Sequence, residues 1–172
     1  MSNLNEFLST YNIESYERPS IATDIAVFTV VPDTEIVDCR KLPSKKLKVL
    51  LIRRGEEPFK NLWALPGGFV RKGETINQAA RRELLEETGT QQAYIEMCGT
   101  FDEEGRDPRG WIISQAFMAL TNSEDKELME NIHAGGDAKE AEWFDISLNI
   151  VGDGYELSLI HISEPTRRSY IS

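Results

Sequence analysis

Residues 68–90 read GFVRKGETINQAARRELLEETGT, and this stretch decides the fold. From Thr75 to Thr88 it holds no Gly or Pro and is dense in Ala, Leu, Glu and Arg, a composition that predicts a helix. Thr75 is the expected N-cap, and Gly89 stands where a helix stops on a left-handed residue. Ile76, Ala80 and Leu84 make one apolar stripe, which turns the helix toward a core. Glu83, Glu86 and Glu87, at i, i+3 and i+4, project from one face beside that stripe. Carboxylates at this spacing repel, and Arg82, even paired with Glu86, does not neutralise all three. Two readings stand. One is a solvated acidic face, the usual explanation of charge runs. The other is a cluster of hard oxygen donors at the core's edge, a set suited to Mg2+ or Mn2+.

The flanking spacing adds to the second reading. Gly68 is followed after five residues by Glu74, and Glu74 after seven by Arg82-Glu83-Leu84-Leu85-Glu86-Glu87-Thr88-Gly89. This pattern resembles the Nudix box, G-x5-E-x7-R-E-U-x-E-E-x-G-U with U bulky and apolar. Every polar and glycine position agrees, and Thr90 stands where an aliphatic residue is usual. The resemblance implies a loop–helix–loop that presents Mg2+ or Mn2+ to a diphosphate, within a Nudix-type α/β/α sandwich. Under it Glu83, Glu86 and Glu87 are metal ligands, and the carbonyl of Gly67 is a further candidate. Arg82 orients the glutamates. Glu74 braces the loop or joins the metal shell through water. Gly68 and Gly73 permit tight turns where a Cβ would clash, and Gly89 closes the box. Such cations explain how an acidic chain holds an anion, because they invert the local field.

Outer segments resemble the branch of that family containing ADP-ribose pyrophosphatases. They are Arg53-Arg54-Gly55-Glu56-Glu57-Pro58-Phe59, continuing through Leu62 to Gly68, then Gly105–Gly110 and Asp137–Phe144. The resemblance covers about residues 18–147 and implies hydrolysis of ADP-ribose to AMP and ribose 5-phosphate by a cytoplasmic enzyme, with a homodimer as the family's usual assembly. Arg54 is a candidate substrate contact. Arg106 and Arg109 either meet phosphate or ribose, or pair with Asp102, Glu103, Glu104 or Asp107 in their own loop. Phe59 or Trp63 stacks on adenine, or Trp63 is an ordinary core residue. Glu140 is a candidate general base from a flexible loop, against Glu86, Glu87 and the plainer reading of a surface carboxylate. The same branch holds transcriptional regulators of NAD metabolism, in which a Nudix-like domain senses ADP-ribose and a following winged helix binds DNA. A chain cut near Glu156 would have lost such a module. His133 reads as a loop histidine.

Elsewhere, β-branched Ile21–Val31 predicts a strand ending at Pro32, followed by a hairpin loop and a central apolar strand, Leu47–Arg53. Residues 55–67 read as loop. Ala93–Phe101, Trp111–Leu120 and a short Ala141–Phe144 read as further strands. Residues 4–17 read as a short amphipathic helix or turn, and Asn122–Gly136 as a polar stretch. Strands and helices mix without a βαβ alternation, so the class is α+β with a mixed sheet between helices.

Length and composition agree with one domain. The chain has 172 residues, 29 Asp+Glu against 19 Lys+Arg, a net charge of -10 and 40% hydrophobic residues. The negative charge disfavours nucleic acid and anionic membrane as broad partners. No apolar run is long enough to cross a bilayer, and the N-terminus carries no export signal. Cys39 and Cys98 match no metal spacing and read as one loop thiol and one buried thiol. The end of the chain differs from the rest. Leu157–Arg167, LSLIHISEPTR, resembles the translation of a sequencing-library adapter, which makes 1–156 the expected domain, with 1–17 an N-terminal extension and 157–172 a foreign tail.

Overall fold

The computed structural model describes residues 2–33, 44–89, 93–121, 135, 138–151 and 154–160. His133, Cys39, Thr90, Asp153 and most of 122–136 lie outside the described residues. In chain order come α1 (Ser2–Thr10), a 3-10 turn (Ile13–Ser15), β1 (Ser20–Pro32), β2 (Lys45–Arg54), β3 (Trp63–Ala64) and β4 (Gly67–Phe69). They are followed by α2 (Ile76–Thr88), β5 (Tyr94–Phe101), β6 (Ile112–Leu120), β7 (Ala138–Val151) and β8 (Gly154–Ile160).

The strands form one mixed sheet in the order β5-β6-β1-β2-β7-β8, with β3 on β2 and β4 on β1. β1 runs parallel to β6, and the other pairings are antiparallel. Alternation along β1 sends Thr23, Ile25, Val27 and Thr29 to one face, where all four are buried. Leu50, Phe117 and Ala119 from the neighbouring strands join Ile25 and Val27 there, and Ala80 and Leu84 of α2 close over them. β2 is buried on both faces from Val49 to Ile52, as its unbroken apolar run requires of a central strand.

α2 obeys local chemistry at both ends. Thr75 Oγ1 accepts from the Gln78 N–H at 3.2 Å, and Gln78 Oε1 accepts from the Thr75 N–H at 2.8 Å, a complete capping box. Gly89 ends the helix at φ 71°, its N–H donating to the Leu85 carbonyl at 2.9 Å.

Three expectations need correction. Residues 55–67 are not all loop, because Trp63–Ala64 pairs with Ile52–Arg53 and Gly67 opens β4. The strand expected at Ala141–Phe144 runs from Ala138 to Val151. Its charges hid it: Glu140 pairs across to Arg53 and Asp145 to Lys48, so they belong to cross-strand ion pairs on a strand and do not mark its ends. Cys98 is exposed, because it sits at an irregularity of edge strand β5, where pairing with β6 shifts between Met97 and Gly99. The N-terminal extension forms the expected short helix, and its Leu4, Phe7 and Leu8, with Tyr11 beyond it, are exposed. At the end of the described chain, residues 154–160 of β8 pair with 145–151 of β7.

Candidate active site

The site is assembled where α2 meets β4. Pairing of Ala22–Asp24 with Gly67–Phe69 lays β4 along β1, and the Ile25 N–H donates to the Pro66 carbonyl at 2.8 Å. α2 packs on both strands. Its glutamates therefore face the turn at Gly67-Gly68, graded from core to solvent. Glu87 is 3% exposed and its Oε2 accepts from the Gly67 N–H at 2.7 Å, a partner that a buried carboxylate requires. The Glu83 side chain is 12% exposed and that of Glu86 39%.

Arg82 is the hub. Its Nε and Nη2 hold the two Glu74 oxygens at 3.0 and 2.7 Å, Nη1 donates to Glu83 Oε1 at 2.5 Å and Glu86 Oε2 at 3.3 Å, and Nη2 also donates to the Phe69 carbonyl at 3.1 Å. One guanidinium thus ties the loop carboxylate, two helix carboxylates and β4 together. These bonds join Glu74 of the loop to Arg82 of the helix. These bonds raise the arginine's pKa, so it stays charged.

Glu74 is held down from its usual 4.5 to about 2, first by the Arg82 side chain and then by the Arg71 N–H, which donates to it at 2.6 Å. A carboxyl depressed on folding contributes stability that is full above its unfolded pKa and is lost as pH falls through the folded one. The window here runs from 4.5 down to about 2. We expect Glu74→Gln to flatten the acid limb: urea denaturation at pH 7 and pH 3 should show a smaller loss for the variant than for the unmodified protein. Equal losses would contradict the assignment.

Gly68 and Gly73 serve different needs. A Cβ on Gly68 would overlap the Glu83 carboxylate and lie 2.6 Å from its Cδ, so the missing side chain leaves a cradle that the carboxylate occupies. At Gly73 nothing lies within 4 Å of such a Cβ, and the expected clash is absent. Its φ of 93° is what calls for glycine.

The donor chemistry suits a divalent cation. Glu74, Glu83, Glu86 and Glu87 carry four formal negative charges against two positive charges on Arg71 and Arg82, so acid outnumbers base among these six side chains. All the acidic donors are hard oxygens, and the Glu83 carboxylate sits in the Gly68 cradle. Among the described residues no three acidic, His or Cys groups already converge as a cage, because nitrogen donors hold the carboxylates instead.

The remaining candidates fall into two groups. Arg109 comes close to the box: it lies over the Phe69 ring, 4.9 Å from its centroid, and grips Asp107 at 3.0 and 2.7 Å. That grip holds the Asp107 carboxyl below its usual range and raises Arg109. The pairing within its own loop is therefore realised for Arg109. Arg106 donates its N–H to the Glu103 carbonyl at 3.4 Å, and its Nε is buried with no hydrogen-bond partner. The second group belongs to the turn after β2. Arg54 Nε donates to the Pro58 carbonyl at 2.8 Å, which ties it to the loop, and Phe59 is exposed at φ 66°. Trp63 is half-buried and packs edge-on against Phe144, 4.9 Å between centroids. Glu140 is on β7, not a flexible loop, and both its oxygens accept from Arg53 Nη1 at 3.2 and 3.1 Å.

One participant was not foreseen. Arg71 Nη1 and Nη2 reach the two Glu86 oxygens at 3.4 and 3.2 Å. It occupies an unspecified position of the box, fifteen residues from Glu86, so no local periodicity signals the contact.

A turn that feeds a capped helix, with three carboxylates gathered around one arginine and a fourth held on the backbone of the turn, defines the class of protein. Residues 35–153 match the family model described as the NUDIX domain, and the chain belongs to that family. It is 44% identical over 103 residues to the ADP-ribose pyrophosphatase of Methanocaldococcus jannaschii, covering 60% of this chain and 57% of that protein. It is 36% identical over 118 residues to the ADPR responsive transcriptional repressor NtrR of Acinetobacter baylyi, covering 67% of this chain and 42% of the repressor. The crystallised NUDIX domain of Shewanella oneidensis NrtR complexed with ADP ribose superposes with a TM-score of 0.63 at 27% identity, covering 81% and 80% of the two chains. The chain spans about half the length of the two curated relatives.

Proposed function

We propose that this protein is a divalent-cation-dependent pyrophosphohydrolase, with Mg2+ or Mn2+ as the ion, that splits ADP-ribose into AMP and ribose 5-phosphate in the cytoplasm. The observation that carries the reading is the Arg82 hub, which ties Glu83, seated in the Gly68 cradle, to Glu86 while Glu87 is anchored on the Gly67 N–H. In this reading Glu83, Glu86 and Glu87 hold the cation, with the Gly67 carbonyl as a further ligand. The bound ion would neutralise the diphosphate and acidify the attacking water. Water adds to one phosphorus and the bridging P–O bond breaks, so AMP and ribose 5-phosphate leave. Arg82 and Glu74 keep the carboxylates aimed, so little reorganisation is needed when substrate arrives. Glu86, the most exposed of the three, is the better candidate to accept the proton, because it belongs to the carboxylate cluster of the box whereas Glu140 stands on β7 opposite Arg53. Arg106, Arg109, Arg54 and Phe59 remain candidates for substrate contact, and a homodimer for the assembly.

The test is release of AMP from ADP-ribose by the purified protein with Mg2+, followed by chromatography. ADP-ribose left intact would remove the substrate assignment. Gly68→Ala should lower this rate about tenfold or more with little change in stability, since the added methyl displaces only the end of Glu83. An unaltered rate would count against the cradle.

Similarity to the repressor and to its ADP-ribose-bound relative supports a second reading, a domain that senses ADP-ribose and is joined to a DNA-binding module. Binding of ADP-ribose without AMP release would favour it. In both readings we take 1–156 as the native domain and 157–172 as foreign, and the uninterrupted gene sequence decides whether a basic helix-turn-helix region follows.

A further inference from the structure

We propose that Arg71 is a positioning residue that holds Glu86 while no cation does, yields it to the divalent cation, and then faces the phosphates of the substrate. The inference rests on Glu86 being a metal ligand, as proposed above. Two guanidiniums reach that carboxylate, and they differ in freedom. Arg82 also serves Glu74, Glu83 and the Phe69 carbonyl, and its side chain is 17% exposed. Arg71 is pinned at its backbone N–H by Glu74, while its side chain is 62% exposed and reaches outward to Glu86. The backbone of residue 71 is thus tied to Glu74 while its side chain stands in solvent.

An exposed ion pair of this kind is weak, so releasing it costs little. A cation binding at Glu86 must displace Arg71 or work against its charge at close range. Once released, the guanidinium stays on the rim of a cleft of 340 Å³ lined by Pro19, Ile21, Phe69 and Lys72. There its fork suits phosphate oxygens, which accept hydrogen bonds in the same bidentate fashion as the carboxylate it left.

Calorimetric titration of the whole chain with MnCl2, alongside Arg71→Met and Lys72→Met, tests the exchange. Arg71→Met should bind Mn2+ about two- to fivefold more tightly, the range that an exposed ion pair's strength converts to. Lys72→Met removes the same charge next door without touching Glu86 and should shift affinity less. With Mg2+ saturating, Arg71→Met should raise the KM for ADP-ribose about fivefold or more and change kcat less than twofold, and Arg71→Lys should fall between. Unchanged or weaker Mn2+ binding in Arg71→Met, an equal shift in Lys72→Met, or an unchanged KM would each overturn the inference. No Mn2+ uptake by the unmodified protein would overturn the proposed function with it, whereas normal uptake unaffected by Arg71→Met would overturn this inference alone.

Discussion

Glu86→Gln is expected to slow AMP release from ADP-ribose by about 10²–10³-fold and to leave the melting temperature almost unchanged. The two effects separate because the amide keeps the shape of the carboxylate. Its oxygen still accepts from Arg82 or Arg71, whose bonds to Glu86 now span 3.2 to 3.4 Å. What disappears is a negative charge, the property that a hard cation and a departing proton both require. The side chain is partly exposed, so the stability cost stays within about 0.5 kcal/mol, and relief of repulsion from Glu83 offsets some of it. Glu96→Gln, an exposed acid on β5, is the charge-matched control. A Glu86→Gln protein that turned over at the unmodified rate would exclude Glu86 from the chemistry.

Arg82→Met should do both kinds of damage. Methionine fills much of the same volume but donates nothing, so Glu74, Glu83 and Glu86 lose their shared partner and face one another. Breaking a fully buried ion pair costs about 3–5 kcal/mol. These side chains retain some solvent, so we expect a loss of about 2–3 kcal/mol in urea denaturation at pH 7, together with at least a hundredfold fall in turnover. The deficit should shrink as pH falls below the ordinary carboxylate range, since protonation removes the repulsion that Arg82 had balanced. Adding Glu74→Gln to Arg82→Met should recover part of the stability and none of the rate. An Arg82→Met protein as stable as the unmodified chain would mean that the hub does not hold the loop to the helix.

The difference between those two substitutions reflects how much of the site was legible beforehand. Glu86 could be singled out from spacing, because residues three and four apart on a helix share a face whatever the helix packs on. That Arg82 pairs with Glu86 was equally local. That it also reaches Glu74 and the Phe69 carbonyl followed from the family resemblance only as an expectation about bracing, and the distances come from the packing of α2 on β4. Glu140 shows the opposite case. It was read as part of a flexible loop, yet register with β2 places it opposite Arg53 near the start of a paired strand.

By itself the sequence determined the helix Ile76–Thr88, both of its caps, the shared face of its three glutamates and membership of a mixed α+β class, because each depends on residues within one or two turns of one another. The tertiary structure alone decided that Arg71 grips Glu86, that the Gly67 N–H anchors Glu87, that Gly68 yields its Cβ space to Glu83, and that Arg109 lies over Phe69. Each of these joins segments separated along the chain. Strand order and register set such meetings, and hydrophobic periodicity reports which face a residue takes without naming what will lie across from it.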